Sequence, residues 1–242
     1  MASDLLIAIE TSSFAGSLAA ARGGTVCATR SIVADRRHTA ALLPALHDLL
    51  GECGATARDI GVLAYSAGPG SFTGLRIAAT IARMLQSAVG CAVVAVPTLE
   101  VIATGAAERL APDAHVAAVL DARRGEVFGA LFRRAADGTL ATLAPAAVHD
   151  PAAWLANLPR PLAIAGEGLR VHAAALSGDG VTHFDESCWT PQAATVARLG
   201  DALARAGHVC SPTDIVPHYL RRPECEEVYE QRRAAAKARR ET

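Results

Sequence analysis

Residues 60–89 read IGVLAYSAGPGSFTGLRIAATIARMLQSAV, and this stretch decides the fold expected from the sequence. Its apolar start predicts a buried strand over Ile60–Ser66. The glycine-rich loop Ser66–Arg76 follows the strand and opens directly into a helix predicted over Phe72–Val89. A strand that turns through glycines into a long helix is typical of α/β proteins.

The residues on either side of this stretch predict three strands before it and one after it. Leu5–Glu10 is a short apolar run, Gly16–Ala21 is rich in small residues, and a glycine turn leads into Thr25–Val33. A helix is predicted from about His38 to Cys53, and a further strand over Ala92–Val96. The order β-β-β-α-β-α-β is that of the RNase H-like fold of actin, Hsp70 and sugar kinases, which carry two such lobes.

The second half of the chain predicts a shorter version of the same lobe. A helix is expected near Leu99–Leu110, and strands over His115–Leu120 and Glu126–Arg133. Prolines then interrupt weaker patterns, before a last helix over about Pro191–Ala206 and an extended Ile215–Leu220. The predicted organisation is a first actin-like lobe over 1–108, an abbreviated second lobe over 109–220 and a charged, flexible tail over 221–242.

Composition and charge exclude several classes of protein. With 242 residues, 51% of them hydrophobic, the chain has enough apolar material for one large domain or two lobes. No apolar run reaches the ~18 residues that span a bilayer, and the start does not resemble a signal peptide. A net charge of -1 and 4% aromatic residues argue against a general nucleic-acid surface. Scattered cysteines without a CxxC pair indicate reduced thiols, so a cytoplasmic location is expected.

The glycine-rich loop is the strongest candidate for a ligand site. Free N–H groups and the dipole at the start of the following helix favour a phosphate or a carboxylate. The loop does not fit the Walker pattern, because Leu75 follows Gly74 where a lysine would stand. The alternative, which the residues alone favour, is a tight structural turn with Ser71 or Thr73 as the N-cap of the helix.

A second candidate is the turn after the first strand, Glu10-Thr11-Ser12-Ser13. Actin-like nucleotide binders usually have Asp-x-Gly-Thr or Asp-x-Gly-Ser at this turn. Glu10 replaces the aspartate and Ser12 the glycine, so both crowd a phosphate and a structural turn is favoured. The two segments together give the candidate residues of vestigial phosphate loops: Thr11, Ser12, Ser13, Gly68, Gly70, Ser71, Thr73 and Gly74.

Two weaker candidates lie in the second half. Asp121–Glu126 places two acids and two arginines at a strand–turn–strand junction, and is either an active-site loop or a salt-bridged hairpin. Gly166-Glu167-Gly168 resembles a remnant of a second nucleotide turn. The eight histidines have no HxxxH or HExxH spacing, and there is no GxSxG serine motif. The sequence therefore predicts no metal site, no cofactor and no catalytic residue.

Several segments resemble the TsaB family, also called YeaZ, and occur in the order found there. The pair SAGPGSFTGLR and LDARRGEV is specific in combination, and the likeness is strongest over the first half of the chain. The resemblance implies an actin-like (ASKHA) fold and a role with TsaD and TsaE in placing threonylcarbamoyl on adenosine 37 of tRNAs. The segments are Leu5–Ser12, Arg36–Leu50, Ser66–Ala78, Leu120–Phe128, Ala165–Gly168 and His218–Arg221.

The resemblance also implies that this chain is not itself the catalyst. In TsaD, the related catalytic subunit, a metal-binding HxxxH follows the strand after the long helix. The matching positions here are Thr98 and Ile102, and neither is a comparable metal ligand. The expected role is a non-catalytic scaffold or activator that meets tRNA only within a complex with a TsaD-type catalytic subunit and a TsaE-type ATPase. The enzymatic alternatives are a small actin-like ATP-dependent transferase or kinase using Thr11–Ser13 and Ser66–Thr73, and an M22-type glycopeptidase.

The long helix is apolar over a wider arc than the stripe of about 100° that faces the core in an ordinary surface helix. Two explanations compete: the helix is buried against the sheet and the preceding leucine-rich helix, or against the sheet and a second subunit. We favour the second, and assign the stripe containing Leu75 to the sheet and the stripe containing Ile77 to a second subunit. The resemblance supports this, because TsaB pairs with TsaD, or with itself as a homodimer, through these first-lobe helices. The predicted partner interface is Leu43, Leu46, Leu50, Ile77, Ile81 and Met84.

Overall fold

The structure of the protein is a computed structural model that describes residues 4–32, 38–221 and 233. Apart from Arg221 and Arg233, the predicted tail lies outside these residues. The strands of the described part are β1 (Leu5–Glu10), β2 (Gly16–Arg22), β3 (Thr25–Ile32), β4 (Ile60–Gly68), β5 (Ala92–Pro97), β6 (His115–Arg123), β7 (Glu126–Arg134), β8 (Leu140–His149), β9 (Leu162–Ala165) and β10 (Val181–His183). Its α-helices are α1 (His38–Glu52), α2 (Phe72–Val89), α3 (Thr98–Ala107), α4 (Pro151–Ala156), α5 (Leu169–His172) and α6 (Ala193–Arg205).

The strands form two five-stranded sheets with the same topology. The first has the order β3-β2-β1-β4-β5, and the second has the equivalent order β8-β7-β6-β9-β10. In each sheet three consecutive strands are antiparallel, and the fourth and fifth run parallel to the first. We call each sheet with its covering helices a lobe. The predicted two-lobed, actin-like α/β fold is confirmed.

The first sheet is buried on both faces. Helices α1 and α2 cover one face, where Leu49 is buried in one cluster with Ile7 and Leu63. Helix α6 covers the other face, where Val196 is buried with Val94. Strand β1 is therefore apolar at every position before Glu10, as a strand covered on both sides must be.

Helix α6 comes from the range that the sequence assigns to the second lobe, yet it contacts all five strands of the first sheet, and α3. Gly200 permits this close approach, because a Cβ there would lie 2.4 Å from the Cβ of Ala64. By its packing, α6 belongs with the first lobe. The division of the chain at residue 108 stays a proposal.

The second lobe has the same five strands as the first, but its helices α4 and α5 are short. Helix α4 has 6 residues and α5 has 4. The Trp154 ring of α4 lies directly over Gly129, where a Cβ would be 2.6 Å from the ring. The sequence shows only weak patterns over β8, because Pro145 interrupts it. Pro145 lies on an edge strand at a shift in register with β7, a place where a strand tolerates proline.

Helix α3 joins the lobes. Its residues Leu99 and Ile102 are buried in one cluster with Val116 and Phe132 of the second sheet. The same helix also contacts β4, β5 and α6. Within the described ranges, no helix combines the length and the apolar character needed to cross a membrane.

Candidate functional site

A cleft of about 980 Å³ separates the two lobes at the carboxyl ends of β1, β4, β6 and β9. It is lined by the β1–β2 turn (Ser12–Ala15), by the glycine-rich loop at Pro69–Phe72 and by the end of β6 at Leu120–Arg123. Glu167 lies on the wall formed by the second lobe, and His218–Arg221 cross from the C-terminal side. The topology thus brings together the four loops that the sequence singled out.

The β1–β2 turn and the glycine-rich loop are bonded to each other. The Ser71 N–H donates to the Ser12 carbonyl at 2.7 Å, and the Thr11 hydroxyl donates to the Gly74 carbonyl at 2.8 Å. Glycine is required at both contacts: a Cβ at Gly70 would lie 2.3 Å from the Ser12 oxygen, and one at Gly74 would lie 1.8 Å from the Thr11 oxygen. We call this junction the seam.

The remaining predicted loop residues lie at or beside the seam. Ser71 is the N-cap of α2, since its Oγ accepts from the Gly74 N–H at 3.3 Å. Thr73 is exposed in the first turn of that helix. Ser13 lines the cleft, and its hydroxyl donates to the Ala15 carbonyl at 2.9 Å. Gly68 ends β4 with φ +123°. All eight candidate residues are therefore near one another, and the role assigned to them stays a prediction.

Glu10 points into the protein beneath the β1–β2 turn. Its carboxylate accepts hydrogen bonds from the N–H and the hydroxyl of Ser12, each at 2.5 Å, and from the Ser66 hydroxyl. Burial raises the pKa of Glu10, and the bonds from Ser12 and Ser66 oppose that shift. The side chain is fully buried, so it supports the turn from below and does not face the cleft.

The second lobe contributes a carboxylate that is held from two sides. Asp121 accepts from the Arg123 N–H at 3.0 Å and lies 3.2 Å from Nε2 of the buried His172. Arg123 also forms an ion pair with Asp121 at 3.4 Å. The hairpin interpretation of this segment agrees with these contacts, although the loop also lines the cleft. Sequence reasoning missed His172, because 51 residues separate it from Asp121 and no spacing rule links them.

Glu167 is a second acidic group on the second-lobe wall of the cleft. Burial raises its pKa, and the Thr190 hydroxyl bond and the nearby Arg170 oppose the shift. The Thr190 hydroxyl donates to Glu167 at 3.3 Å. The charge of Glu167 also contributes, as the smallest of the causes, to the raised pKa of the buried Glu10.

Residues 215–221, which we call the strap, cross the cleft from one lobe to the other. On the first lobe, the Tyr65 hydroxyl donates to the Val216 carbonyl at 3.3 Å and the His218 N–H donates to the Ala67 carbonyl at 2.7 Å. On the second lobe, the Arg221 guanidinium donates to the Ala122 carbonyl at 2.6 Å and pairs with Glu126. The strap therefore ties the two sheets together.

An aromatic contact fixes the middle of the strap. The Tyr219 ring stacks on Phe72 with centroids 5.3 Å apart, and Nε of Arg76 donates to the Tyr219 hydroxyl at 2.9 Å. The Arg76 guanidinium lies 3.8 Å from the Phe72 ring centroid. The first turn of α2 is thus covered by residues more than a hundred positions later in the chain, which the sequence alone did not indicate.

The two positions that the resemblance places opposite the TsaD histidines are both in the interior. Thr98 and Ile102 are buried at the start of α3, and the Thr98 hydroxyl has no hydrogen-bond partner in the described part of the chain. Among the described residues, no three His, Cys, Asp or Glu side chains are grouped so that they could hold a metal ion.

The comparisons match this chain to the related TsaD and TsaB proteins. A profile described as TsaD, tRNA N6-adenosine threonylcarbamoyltransferase, matches residues 18–230. The tRNA threonylcarbamoyladenosine biosynthesis protein TsaB of Escherichia coli strain K12 is 38% identical over 151 residues, which are 60% of this chain and 64% of that protein. The protein of the same name from Bacillus subtilis strain 168 is 28% identical over 233 residues, 91% of this chain and 96% of that protein. This chain belongs to the TsaB family.

A solved structure supports the same relationship. YeaZ from Pseudomonas aeruginosa superposes on this TsaB-family chain with a TM-score of 0.78 at 28% identity, over 90% of this chain and 100% of that one. The match includes both lobes, because 90% of this chain exceeds the share of either lobe alone.

The helical face predicted for a partner is divided between surface and core. Leu43 of α1 and Met84 of α2 are 46% and 45% exposed, and Ile77 is half-buried. The other three predicted residues are buried in the cluster beneath α1 and α2, so they cannot form the outer surface of the TsaB-family chain. These three are Leu46, Leu50 and Ile81.

Proposed function

We propose that this TsaB-family chain is a non-catalytic subunit in tRNA threonylcarbamoyladenosine biosynthesis, acting in the cytoplasm with a TsaD-type catalytic subunit and a TsaE-type ATPase. The shared name of the relatives supports the process. The family profile supports a common origin with the transferase. The observation that supports a non-catalytic role is the seam between the β1–β2 turn and the glycine-rich loop.

The seam occupies groups that a bound phosphate would use. A helix N-terminus holds phosphate through N–H groups that have no other partner. Here the Ser71 N–H is bonded to Ser12 and the Gly74 N–H to Ser71. The strap covers the same region, because the His218 carbonyl lies 2.6 Å from where a Cβ of Gly68 would be. This geometry favours a structural junction over the transferase or kinase alternative.

The partner surface that we propose lies on α1 and α2. Leu43, Ile77 and Met84 form its outer part, and the buried Leu46, Leu50 and Ile81 support them from beneath. Exposed apolar side chains grouped on one face mark surfaces that another chain covers. The TsaD-type subunit is the partner that the family relationship favours, and a second copy of this chain is the alternative occupant.

Reconstitution tests the catalytic part of the proposal. Purified chain, threonylcarbamoyl adenylate and tRNA are combined with and without a TsaD-type subunit, and modified adenosine is measured by mass spectrometry of the digested tRNA. We expect no product from this chain alone, and more product when it joins the TsaD-type subunit. Product formed by this chain alone would show that it is an enzyme.

Matched surface variants test the partner surface. Met84→Asp should weaken binding to the TsaD-type subunit by about 2 kcal/mol or more if Met84 is a central contact. The control is Leu143→Asp, because Leu143 is equally exposed at 46% but lies on β8 of the second lobe. Binding is measured by calorimetry, with folding verified by circular dichroism. Equal binding by both variants would place the interface elsewhere.

A further inference from the structure

Two cysteines that are distant in the sequence meet on the first lobe. Cys27 is exposed on β3, and Cys53 directly follows the last residue of α1 and is half-buried. Helix α1 packs against β3, and the Cys27 thiol is near enough to Cys53 to raise the pKa of the Cys53 thiol. Neither residue belongs to the cleft, the seam or the strap.

Cys27 is the extra residue of a bulge in β3. Side chains alternate along a regular strand, so Val26 and Ala28 would share one face of the sheet. Instead Val26 packs in the cluster beneath α6, whereas Ala28 packs in the cluster beneath α1. The pairing explains this, because Ala20 pairs with Ala28 and Ala21 with Val26, which leaves Cys27 as the extra residue of the bulge.

The end of α1 is held beside this bulge. Arg30 of β3 forms an ion pair with Asp48 at 3.5 Å and a second one with Glu52, the last residue of the helix. The Cys53 N–H donates to the Leu49 carbonyl at 3.2 Å, which continues the helical pattern by one residue. These contacts hold Cys53 and the end of α1 against β3, the strand that carries Cys27.

We propose that Cys27 and Cys53 are a redox-active pair that closes into a disulfide between β3 and the end of α1. The oxidant is a small-molecule disulfide, for which oxidised glutathione is the probe. The Cys27 thiolate attacks one glutathione sulfur, forms a mixed disulfide and releases one glutathione thiolate. The Cys53 thiolate then attacks Sγ of Cys27, forms the intramolecular S–S bond and releases the second glutathione. Two protein thiols are oxidised, one glutathione disulfide is reduced, and the two protons end on the two glutathione thiols.

The environment sets the order of the two steps. The thiolate is the reacting form of a cysteine, and access decides which cysteine meets the oxidant first. Cys27 is exposed, with its thiol donating to the Ala20 carbonyl at 3.3 Å. Burial raises the pKa of the Cys53 thiol, and the neighbouring Cys27 raises it further. Cys53 is therefore the resolving partner. In a reducing compartment such a bond is transient and responds to the redox state.

Graded oxidation of the full chain tests the pair. Reduced protein is incubated with glutathione and its disulfide at increasing ratios, then analysed by intact mass and by mapping of unreduced peptides. We expect a species lighter by two hydrogens that contains the Cys27–Cys53 peptide pair and reverts with dithiothreitol. Cys53→Ser should stop at a glutathione adduct on Cys27, and Cys27→Ser should lose the bond. Cys210→Ser should behave as the parent chain.

Two precautions make each outcome decisive. The series is repeated in a Cys225→Ser background, because Cys225 lies outside the described residues and must not supply the second thiol. Circular dichroism verifies folding, and alanine replaces serine in any variant that fails to fold. A glutathione adduct that persists on Cys27 of the parent chain overturns the proposal. A Cys27 that pairs with a different cysteine, or that does not react at the most oxidising ratio, overturns it as well.

Discussion

The two lobes share the order of their strands and differ in the helices between them. In each lobe the fourth strand leads into the motif Ala-Gly-x-Gly, which is Ala67–Gly70 in the first lobe and Ala165–Gly168 in the second. The second residue of this motif has φ +123° at Gly68 and +122° at Gly166. An 18-residue helix follows the motif in the first lobe, but a 4-residue helix follows it in the second.

This difference between the lobes distinguishes the strands and turns that form the fold from the helical surface that is available to a partner. Strands and turns of equal design are enough to form either sheet, so the helical layer is free to vary. The short helices of the second lobe cover its sheet with few residues, and Trp154 lies over Gly129. The long helices of the first lobe cover their sheet and still leave Leu43 and Met84 exposed.

The largest effect on stability is expected for a charge placed in the core beneath α1 and α2. Ile81 and Met84 lie one turn apart on α2, but Ile81 is 6% exposed and Met84 is 45% exposed. Ile81→Arg should lower the free energy of unfolding by about 4 kcal/mol or more, because it buries an unpaired charge. Met84→Asp should change it by about 0.5 kcal/mol or less. Urea denaturation measures both, and equal losses would contradict the assignment of Ile81 to the core.

A smaller effect should distinguish the two Ala-Gly-x-Gly turns. A Cβ at Gly70 would lie 2.3 Å from the Ser12 oxygen, whereas the nearest atoms to a Cβ at Gly168 are backbone atoms of Leu120 at 3.1 Å. We expect Gly70→Ala to cost about 3 kcal/mol of unfolding free energy and Gly168→Ala about 1 kcal/mol. Thermal unfolding of the two variants, compared with the parent, decides this. The reverse ranking would mean that the second lobe has the tighter junction.

The strap gives a third comparison, between two arginines that contact the same hairpin. The Arg221 side chain is 21% exposed and bonds the Ala122 carbonyl and Glu126, whereas Arg123 is 87% exposed. Arg221→Ala should cost about 1–2 kcal/mol. It should also speed hydrogen exchange in residues 122–126. Arg123→Ala should cost about 0.5 kcal/mol or less, as exposed pairs do. Unchanged exchange in Arg221→Ala would mean that the strap does not hold the hairpin.

The smallest effect is a change in the pH dependence of stability. Burial raises the pKa of both Glu10 and Glu167. A carboxyl whose pKa is raised by folding stabilises the protein below its usual pKa of 4.5, and that contribution is lost as the pH rises through the folded value. Glu10→Gln should therefore flatten the fall in stability above about pH 4.5.

Glu167→Gln is the matched variant in the second lobe. It should reduce the loss of stability with rising pH less than Glu10→Gln does, because Glu10 is fully buried whereas Glu167 is only half-buried. Melting temperatures measured across a series of buffers test this ranking. A steeper curve for Glu10→Gln than for the parent would contradict the direction of the shift.

Local signals explain how much of the fold could be predicted from the sequence. The bounds of α2 were predicted without error, because Ser71 and the left-handed Gly90 mark its ends within the sequence itself. Strand β8 was not predicted, because Pro145 interrupts its strand pattern in the sequence. The strand becomes recognisable only through its pairing with β7. Topology explains why the four loops in the cleft meet in pairs, because the carboxyl ends of the parallel strands β1 and β4 share one edge of the first sheet, and those of β6 and β9 share one edge of the second.

Contacts between distant residues account for what the sequence could not predict. The bonds of Arg221 to Ala122 and Glu126 span 99 and 95 residues. Three of the six residues predicted for the partner face are buried, because α2 is apolar on two stripes and periodicity does not fix the rotation of the helix against its sheet. That rotation buries Ile81 together with Leu46 and Leu50, and it leaves Met84 outside.

The return of α6 to the first sheet has a consequence for the order in which the chain folds during synthesis. Strands β1 to β5 are complete once residue 97 has been made, but the face that holds Val94 and Val96 is fully covered only after α6, residues 193–205, has been made. The second sheet, residues 115–183, is translated between these two events. A ribosome-bound intermediate thus presents an open apolar face while the second lobe forms, and a chaperone that binds nascent chains would meet that face first.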